Sequence, residues 1–267
     1  MTRRDGERGA ALLIALGGLA LISALAAAAL SLTSGPMTRA AAAVAEAQAT
    51  RAAEAAIHRL AAAMAREDLR RAVPLDGAPV STSFMGAKVD FAGQDAAGLI
   101  DLNQAPEAVL ARLAEATGAG DASTEIASIW AEARRRANGR RPFAALEDAL
   151  GVLPPRLRPL ARPALDHATV WSGLASVDPR VATAPALAAA ADLPLDLAQG
   201  YVAARTVEGR RAALPDAADL AALIVSDGAA ARLEVRATTP EGGRAAIRAT
   251  VRATGSPAAP IVFLDWR

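Results

Sequence analysis

The sequence predicts an α+β protein. A long N-terminal transmembrane helix carries a small antiparallel sheet, and a large α-helical domain interrupts that sheet. Three observations predict it. Gly9 to Leu32 holds no charged side chain, and Met37 to Arg71 is alanine-rich without glycine or proline, so both stretches favour helix. Short strand-like segments stand on either side of the middle of the chain, at Val80 to Phe91 and Arg232 to Arg252. Between them, helical patterns are twice split by a short breaker.

The apolar run comes first. About 20 residues at a rise of about 1.5 Å cross the hydrocarbon core, so residues 10–32 are expected to span a membrane once. Arg3, Arg4 and Arg8 precede the run and no charge follows until Arg39, which places the N-terminus in the cytoplasm and the rest outside. Gly35-Pro36 predicts a bend before the soluble half of the helix. In that half Val44, Ile57, Leu60, Met64 and Leu69 fall near one stripe, the face expected to pack on a head. His58 reads as a surface or packing residue.

Pro74 and Asp76-Gly77 end the helix. Val80–Phe84 and Ala87–Phe91 read as strands around Met85-Gly86, and Gly93–Gly98 as a turn. In Asp101-Leu102-Asn103-Gln104-Ala105-Pro106-Glu107, Asn103 is suited to cap a helix, Pro106 to its first turn and Glu107 to its dipole. Thr117-Gly118-Ala119-Gly120 breaks this helix, and Ile126, Ile129 and Trp130 begin another that ends near Arg136. Phe143 is expected to pack under a short helix at Leu146–Leu150.

A weaker copy follows. Ala184-Pro185 echoes Ala105-Pro106, Leu193 to Asp196 stands for the hairpin, and Tyr201 to Arg205 echoes Trp130 to Arg134. Gly209-Arg210-Arg211 repeats Gly139-Arg140-Arg141, and Leu214 with Asp219-Leu220 stands for Phe143 with Asp148. Pro154, Pro155, Pro159 and Pro163 exclude a long helix between the copies. Arg232–Ala237 and Ala246–Arg252 then alternate apolar and charged residues at period two around Pro240–Gly243, a hairpin with one core face and one solvent face. Ile261–Trp266 adds a last strand.

The composition excludes several chemistries. A formal net charge of +1 gives no global attraction to nucleic acid or anionic lipid. Without cysteine there are no disulfides and no thiolate sites, and His58 and His167 are the only histidines. No serine sits in a nucleophile elbow and no phosphate loop appears, and a catalytic pairing of His167 with Asp166 has nothing else to support it. The chain reads as a non-enzyme.

Glu7-Arg8-Gly9-Ala10-Ala11-Leu12-Leu13-Ile14 is a short basic leader ending in glycine, with the apolar run directly after it. It resembles the leaders of type IV pilins and type II secretion pseudopilins, which a prepilin peptidase cuts after the glycine; the resemblance implies processing between Gly9 and Ala10. Most of these proteins carry glutamate at the fifth residue after the cut, where it pairs with a neighbour's N-terminal amine. Here that position is Ile14, and within the resemblance its loss marks the minor pseudopilin of type K.

The resemblance covers essentially the whole chain. It implies a leader at 1–9, an N-terminal helix at 10–72, a pseudopilin sheet from 73–100 and 227–267, and an inserted helical domain at 101–226 built from tandem helix-hairpin-helix (SAM-like) repeats. It also implies a tip subunit that starts pseudopilus assembly and supports export across the outer membrane. The implied partners are minor pseudopilins of the I and J types, the prepilin peptidase, the secretion machinery and the inner membrane, with the head in the periplasm. Calcium enters as a cofactor only through the resemblance. Asp76, Asp90, Asp95 and Asp101 form no spaced loop, and no ligands are assigned.

The alternative reading is a membrane-anchored helix-hairpin-helix protein that binds DNA in an uptake system, with Gly118 and Gly120 holding phosphate beside Arg134, Arg135, Arg136, Arg140 and Arg141. Asp121 and Glu125 stand where phosphate would approach, and the second hairpin lacks glycine, which argues against nucleic acid.

Overall fold

The computed structural model describes residues 4–66, 74–208, 214–216, 218–219, 223–225, 230–256 and 258–267. The side chains of residues 4–15, 17, 28–36 and 206–208 fall outside the described set. In chain order the elements are α1 (Arg4–Ala65), β1 (Asp76–Phe84), β2 (Ala87–Asp95), β3 (Ile100–Asp101), α2 (Glu107–Ala116), α3 (Ser123–Arg136), α4 (Leu146–Gly151) and α5 (Arg158–Leu165). There follow β4 (Ala168–Thr169), α6 (Ala184–Ala191), α7 (Leu195–Glu208), β5 (Ala230–Thr238), β6 (Arg244–Ala253) and β7 (Ile261–Trp266). The architecture is α+β, with one small antiparallel sheet and several helices.

Alanine shapes the packing of α1. Ala49, Ala52, Ala53, Ala56 and Ile57 lie on Val89, Val235, Ala237 and Ala249, and further along Ala61 and Met64 meet Leu75, Leu233 and Val251. The expected stripe holds at Ile57 and Met64, which are buried, and at half-buried Leu60, but Val44 is 57 % exposed and Leu69 lies outside the described residues. The contact face is mostly alanine, so reading only large apolar residues rotated it. Small side chains let the helix axis approach the sheet, and at Gly243 a Cβ would stand 2.1 Å from the carbonyl oxygen of Ala45. The helix is continuous past the predicted bend, while the side chains at Gly35 and Pro36 lie outside the described residues.

The sheet runs in the order β1-β2-β5-β6-β7, with every neighbouring pair antiparallel. β2 therefore pairs directly with β5 although residues 96–229 separate them, and Phe91 stands opposite Val235. β1 starts before the predicted Val80, and β2 continues to Asp95 where a turn was expected. The turn is shorter: a single tight helical turn at Ala96–Gly98, whose Ala97 N–H donates to Asp95 Oδ1 at 2.9 Å. β7 coincides with the expected strand.

The helical insertion has its own core, in which Trp130, Phe143, Leu102, Leu110, Leu113, Ile126, Leu153 and Leu157 are almost fully buried. Trp130 Nε1 donates to the Ala149 carbonyl at 2.8 Å, which satisfies its polar atom while tying α3 to α4. Phe143 packs beneath α4 as its place in the sequence predicts. Asn103 does not cap α2. Pro106 occupies the cap position without a side-chain bond, and Asn103 instead clasps the backbone of Phe143, donating to its carbonyl at 3.0 Å and accepting from its N–H at 3.2 Å.

The proline-rich connection holds only α5, eight residues with Pro159 in its first turn. β3, where the sequence offers a strand or a turn ending at Asn103, forms a parallel pair with β4, which the sequence did not foresee; Ile100 faces Ala168 and Asp101 faces Thr169.

Candidate functional site

The two helical copies are equivalent in one measurable detail. Arg134 in α3 donates to the carbonyl of Ala105, two residues before α2 begins. Arg205 in α7 donates through Nη1 to the carbonyl of Ala182 at 2.9 Å, two residues before α6, and to that of Pro179 at 2.7 Å. The echo of Trp130–Arg134 in Tyr201–Arg205 is thus a geometric one. The echo of Ala105-Pro106 in Ala184-Pro185 is displaced: Pro106 precedes its helix, whereas Ala184 and Pro185 lie inside α6. Gly209, Arg210, Arg211 and Leu220 lie outside the described residues.

The hairpin does not assemble a phosphate site. Gly118 and Gly120 take positive φ of 96° and 53°, as a tight turn requires. Arg134, Arg135 and Arg136, however, close the far end of α3, about 20 Å along the helix from those glycines. Their guanidinium groups are also engaged. Arg134 is tied to Ala105, Arg135 bonds Glu132 at 2.8 Å and Glu107 at 3.4 Å, and Arg136 bonds Glu132 at 3.0 Å. Near the start of α3, Glu125 holds Arg156 at 3.1 Å. In the second copy Asp192 supplies the left-handed residue that glycine would otherwise provide.

The four aspartates diverge into separate local duties. Asp76 accepts from the Ala78 N–H at 3.1 Å, Asp90 from the Ser81 hydroxyl, and Asp95 from Ala97. Asp101 is buried; burial raises its pKa, opposed by hydrogen bonds from the N–H groups of Gly173 at 2.7 Å and Asn103 at 2.8 Å. Among the described residues no three His, Cys, Asp or Glu side chains converge as metal ligands.

Gly9, Ala10 and Ile14 belong to the α1 backbone, and their side chains lie outside the described residues. Among the described residues no helix is long and apolar enough to cross a membrane. The described part of the apolar run includes Leu16, Leu19, Leu21, Ile22 and Leu25, each more than half exposed. His58, exposed on the C-terminal half of α1, meets Phe263 of β7 edge-on and Trp266 at a tilt, with ring centroids 5.2 and 5.5 Å away.

The sequence assigns the charged face of the β5–β6 hairpin to solvent, and here the structure differs. The helical domain covers part of that face. Arg232 Nη2 donates to the carbonyl of Asp166 at 2.7 Å, Arg252 Nη2 to that of Trp171 at 2.8 Å, and Gln94 Nε2 to that of Val181 at 2.7 Å. Period two tells which residues share a face, not what covers it. Beside these contacts an open cleft of about 380 Å³ is lined by Gln94, Asp166, His167, Thr183, Arg232, Glu234 and Arg248, with Gly77 and Ala92. His167 Nδ1 meets Thr183 Oγ1 at 3.1 Å, and burial lowers its pKa. Asp166 stands beside His167, and its side chain faces Arg248 at 4.0 Å.

No protein-family model and no curated protein matches the chain. Among solved structures the chain is similar to one in the crystal structure of the GspK-GspI-GspJ complex from the enterotoxigenic Escherichia coli type 2 secretion system. The identity is 13 %, 89 % of this chain and 97 % of that one are covered, and the TM-score is 0.49. A likeness of that degree carries no weight in assigning a role.

Proposed function

We propose that this chain is a non-catalytic minor pseudopilin at the tip of a type II secretion pseudopilus. The observation that carries the reading is the direct pairing of β2 with β5 across residues 96–229. A sheet of consecutive antiparallel strands, laid on the soluble half of a long N-terminal helix, accepts a whole helical domain at one strand connection and still closes. Joined to the leader that ends at Gly9 and to Ile14 in place of the assembly glutamate, this supports a subunit with a bulky head and nothing stacked above it.

In this reading residues 10–32 first hold the protein in the inner membrane, with the N-terminus cytoplasmic and the head periplasmic. The prepilin peptidase cuts between Gly9 and Ala10, and α1 then packs with the helices of I-type and J-type minor pseudopilins to start assembly. Ile14 removes the need for a buried charge pair, whose desolvation is costly unless both partners are present. The DNA reading is weakened, since three of the arginines it needs, Arg134, Arg135 and Arg136, sit at the far end of α3 and are already engaged.

The test is the intact mass of the membrane-extracted protein from cells with and without the peptidase, alongside Gly9→Ala. The expected result is a peptidase-dependent start at Ala10 that the variant loses. A start at Met1 in every sample overturns the proposal.

A further inference from the structure

We propose that the cleft between the sheet and the helical domain binds one oxyanion, a carboxylate or a phosphate-like group, on the guanidinium of Arg232. The inference stands apart from the secretion reading and rests on four features of the cleft.

Arg232 is only 8 % exposed, yet it has no ion-pair partner among the described residues. Its cross-strand neighbours are Gln94 on β2 and Thr250 on β6, neither of them charged. The Asp166 carbonyl takes a hydrogen bond from Nη2, whereas a guanidinium carries five donors in a planar fork. The nearby carboxylates serve a different cation: Glu234 holds Arg248 at 2.6 Å, and Asp166 faces the same arginine at 4.0 Å.

Burial works against the charge of Arg232 and the adjacent Arg248 adds to that penalty, which Glu234 and Asp166 offset only in part. An anion placed on the open donors would offset both, and the fork geometry suits the paired oxygens of a carboxylate or phosphate. A space of about 380 Å³ gives room for such a group with its remaining hydration, and His167 and Thr183 supply further polar lining. Glu234 opposes the ligand electrostatically, which makes it the natural control.

The experiment titrates sulfate, phosphate and acetate, each against chloride at constant ionic strength, into the full chain held in detergent micelles, and follows heat and thermal midpoint. Wild type is expected to bind at least one oxyanion saturably at a single site. Arg232→Met, which keeps the volume, is expected to weaken that binding about tenfold or more, as loss of a charge-assisted pair does. Glu234→Gln is expected to tighten it severalfold, an effect that general loosening of the fold would not produce. The order of affinity among the three ions separates a carboxylate site from a phosphate-like one. No saturable binding by wild type, or equal binding by wild type and Arg232→Met, overturns the proposal. Should Arg232→Met fail to fold, Arg232→Lys and Glu234→Gln decide in the same way: both must shift affinity, in opposite directions.

Discussion

The helical domain and the layer formed by α1 with the sheet both bury many alanines, but they differ in where the large side chains stand. The domain packs large side chains around Trp130 and Phe143 in one continuous cluster, close to half of whose buried residues are alanines. The α1 layer is made mainly of alanines lying on valines, leucines and alanines, in two smaller clusters. The centre of the domain is filled by large side chains, whereas the α1 face on the sheet is alanine and lets the backbones approach closely. The first should fail when atoms are removed, the second when atoms are added.

The largest effect is expected from Trp130→Ala. It empties the centre of the domain and frees the Ala149 carbonyl, at a cost of about 3–5 kcal/mol by urea denaturation. Amide exchange should rise across α2, α3 and α4 while β5 and β6 remain protected. Simultaneous loss of protection in the sheet would show that the contrast is one of packing only, within a single cooperative unit.

The converse variant is Ala53→Leu. Ala53 is fully buried against the sheet, and the added methylenes must push α1 away, at about 1–3 kcal/mol. Gly243→Ala sharpens the same point, because the atom its Cβ would strike is the α1 backbone at Ala45, not a side chain that can rotate aside. Exchange should here rise in β5 and β6 first. A comparable alanine-to-leucine change at Ala111, half-buried at the edge of the helical core, should cost less.

A smaller effect is expected from Asn103→Ala, which removes both bonds to the backbone of Phe143 at about 1–2 kcal/mol. If Asn103 were a helix cap, the loss would appear as fraying at the start of α2. The geometry predicts instead that exchange increases around Phe143 and α4. Site-resolved exchange separates the two.

The same contrast explains how far the sequence could be read. Trp130, Phe143 and the period-two segments announce themselves because large apolar residues at fixed spacing have few places to go, and the strands, hairpins and helices of both copies follow from them. The α1 face was misplaced at Val44 because its buried positions are mostly alanine, and alanine also fills exposed positions such as Ala40 to Ala43. Arg232 was legible as a residue of the charged face but not as a buried one. What covers that face is a domain joined far away in sequence, and no local pattern encodes the docking. β3 and β4, two residues each, are too short to leave a periodic trace.

The docking face offers the smallest and most specific test. Burial lowers the pKa of His167, with Arg232 pushing the same way and Asp166 opposing them. The unfolded chain therefore holds a proton at this site that the folded chain releases. Stability from this group is complete above the ordinary histidine value of 6.5 and is lost as pH falls from there through the lower folded value. The thermal midpoint should drop between about pH 7 and 5.5, before most carboxylates titrate. His167→Gln cannot titrate and should flatten the slope over that interval, with a loss at pH 7 of about 1 kcal/mol or less from the contact with Thr183. An unchanged slope in the variant would remove His167 as its source. A flattened slope, with exchange at acid pH rising first in β4 and the Arg232 end of β5, would show that the helical domain loosens from the sheet before either core opens.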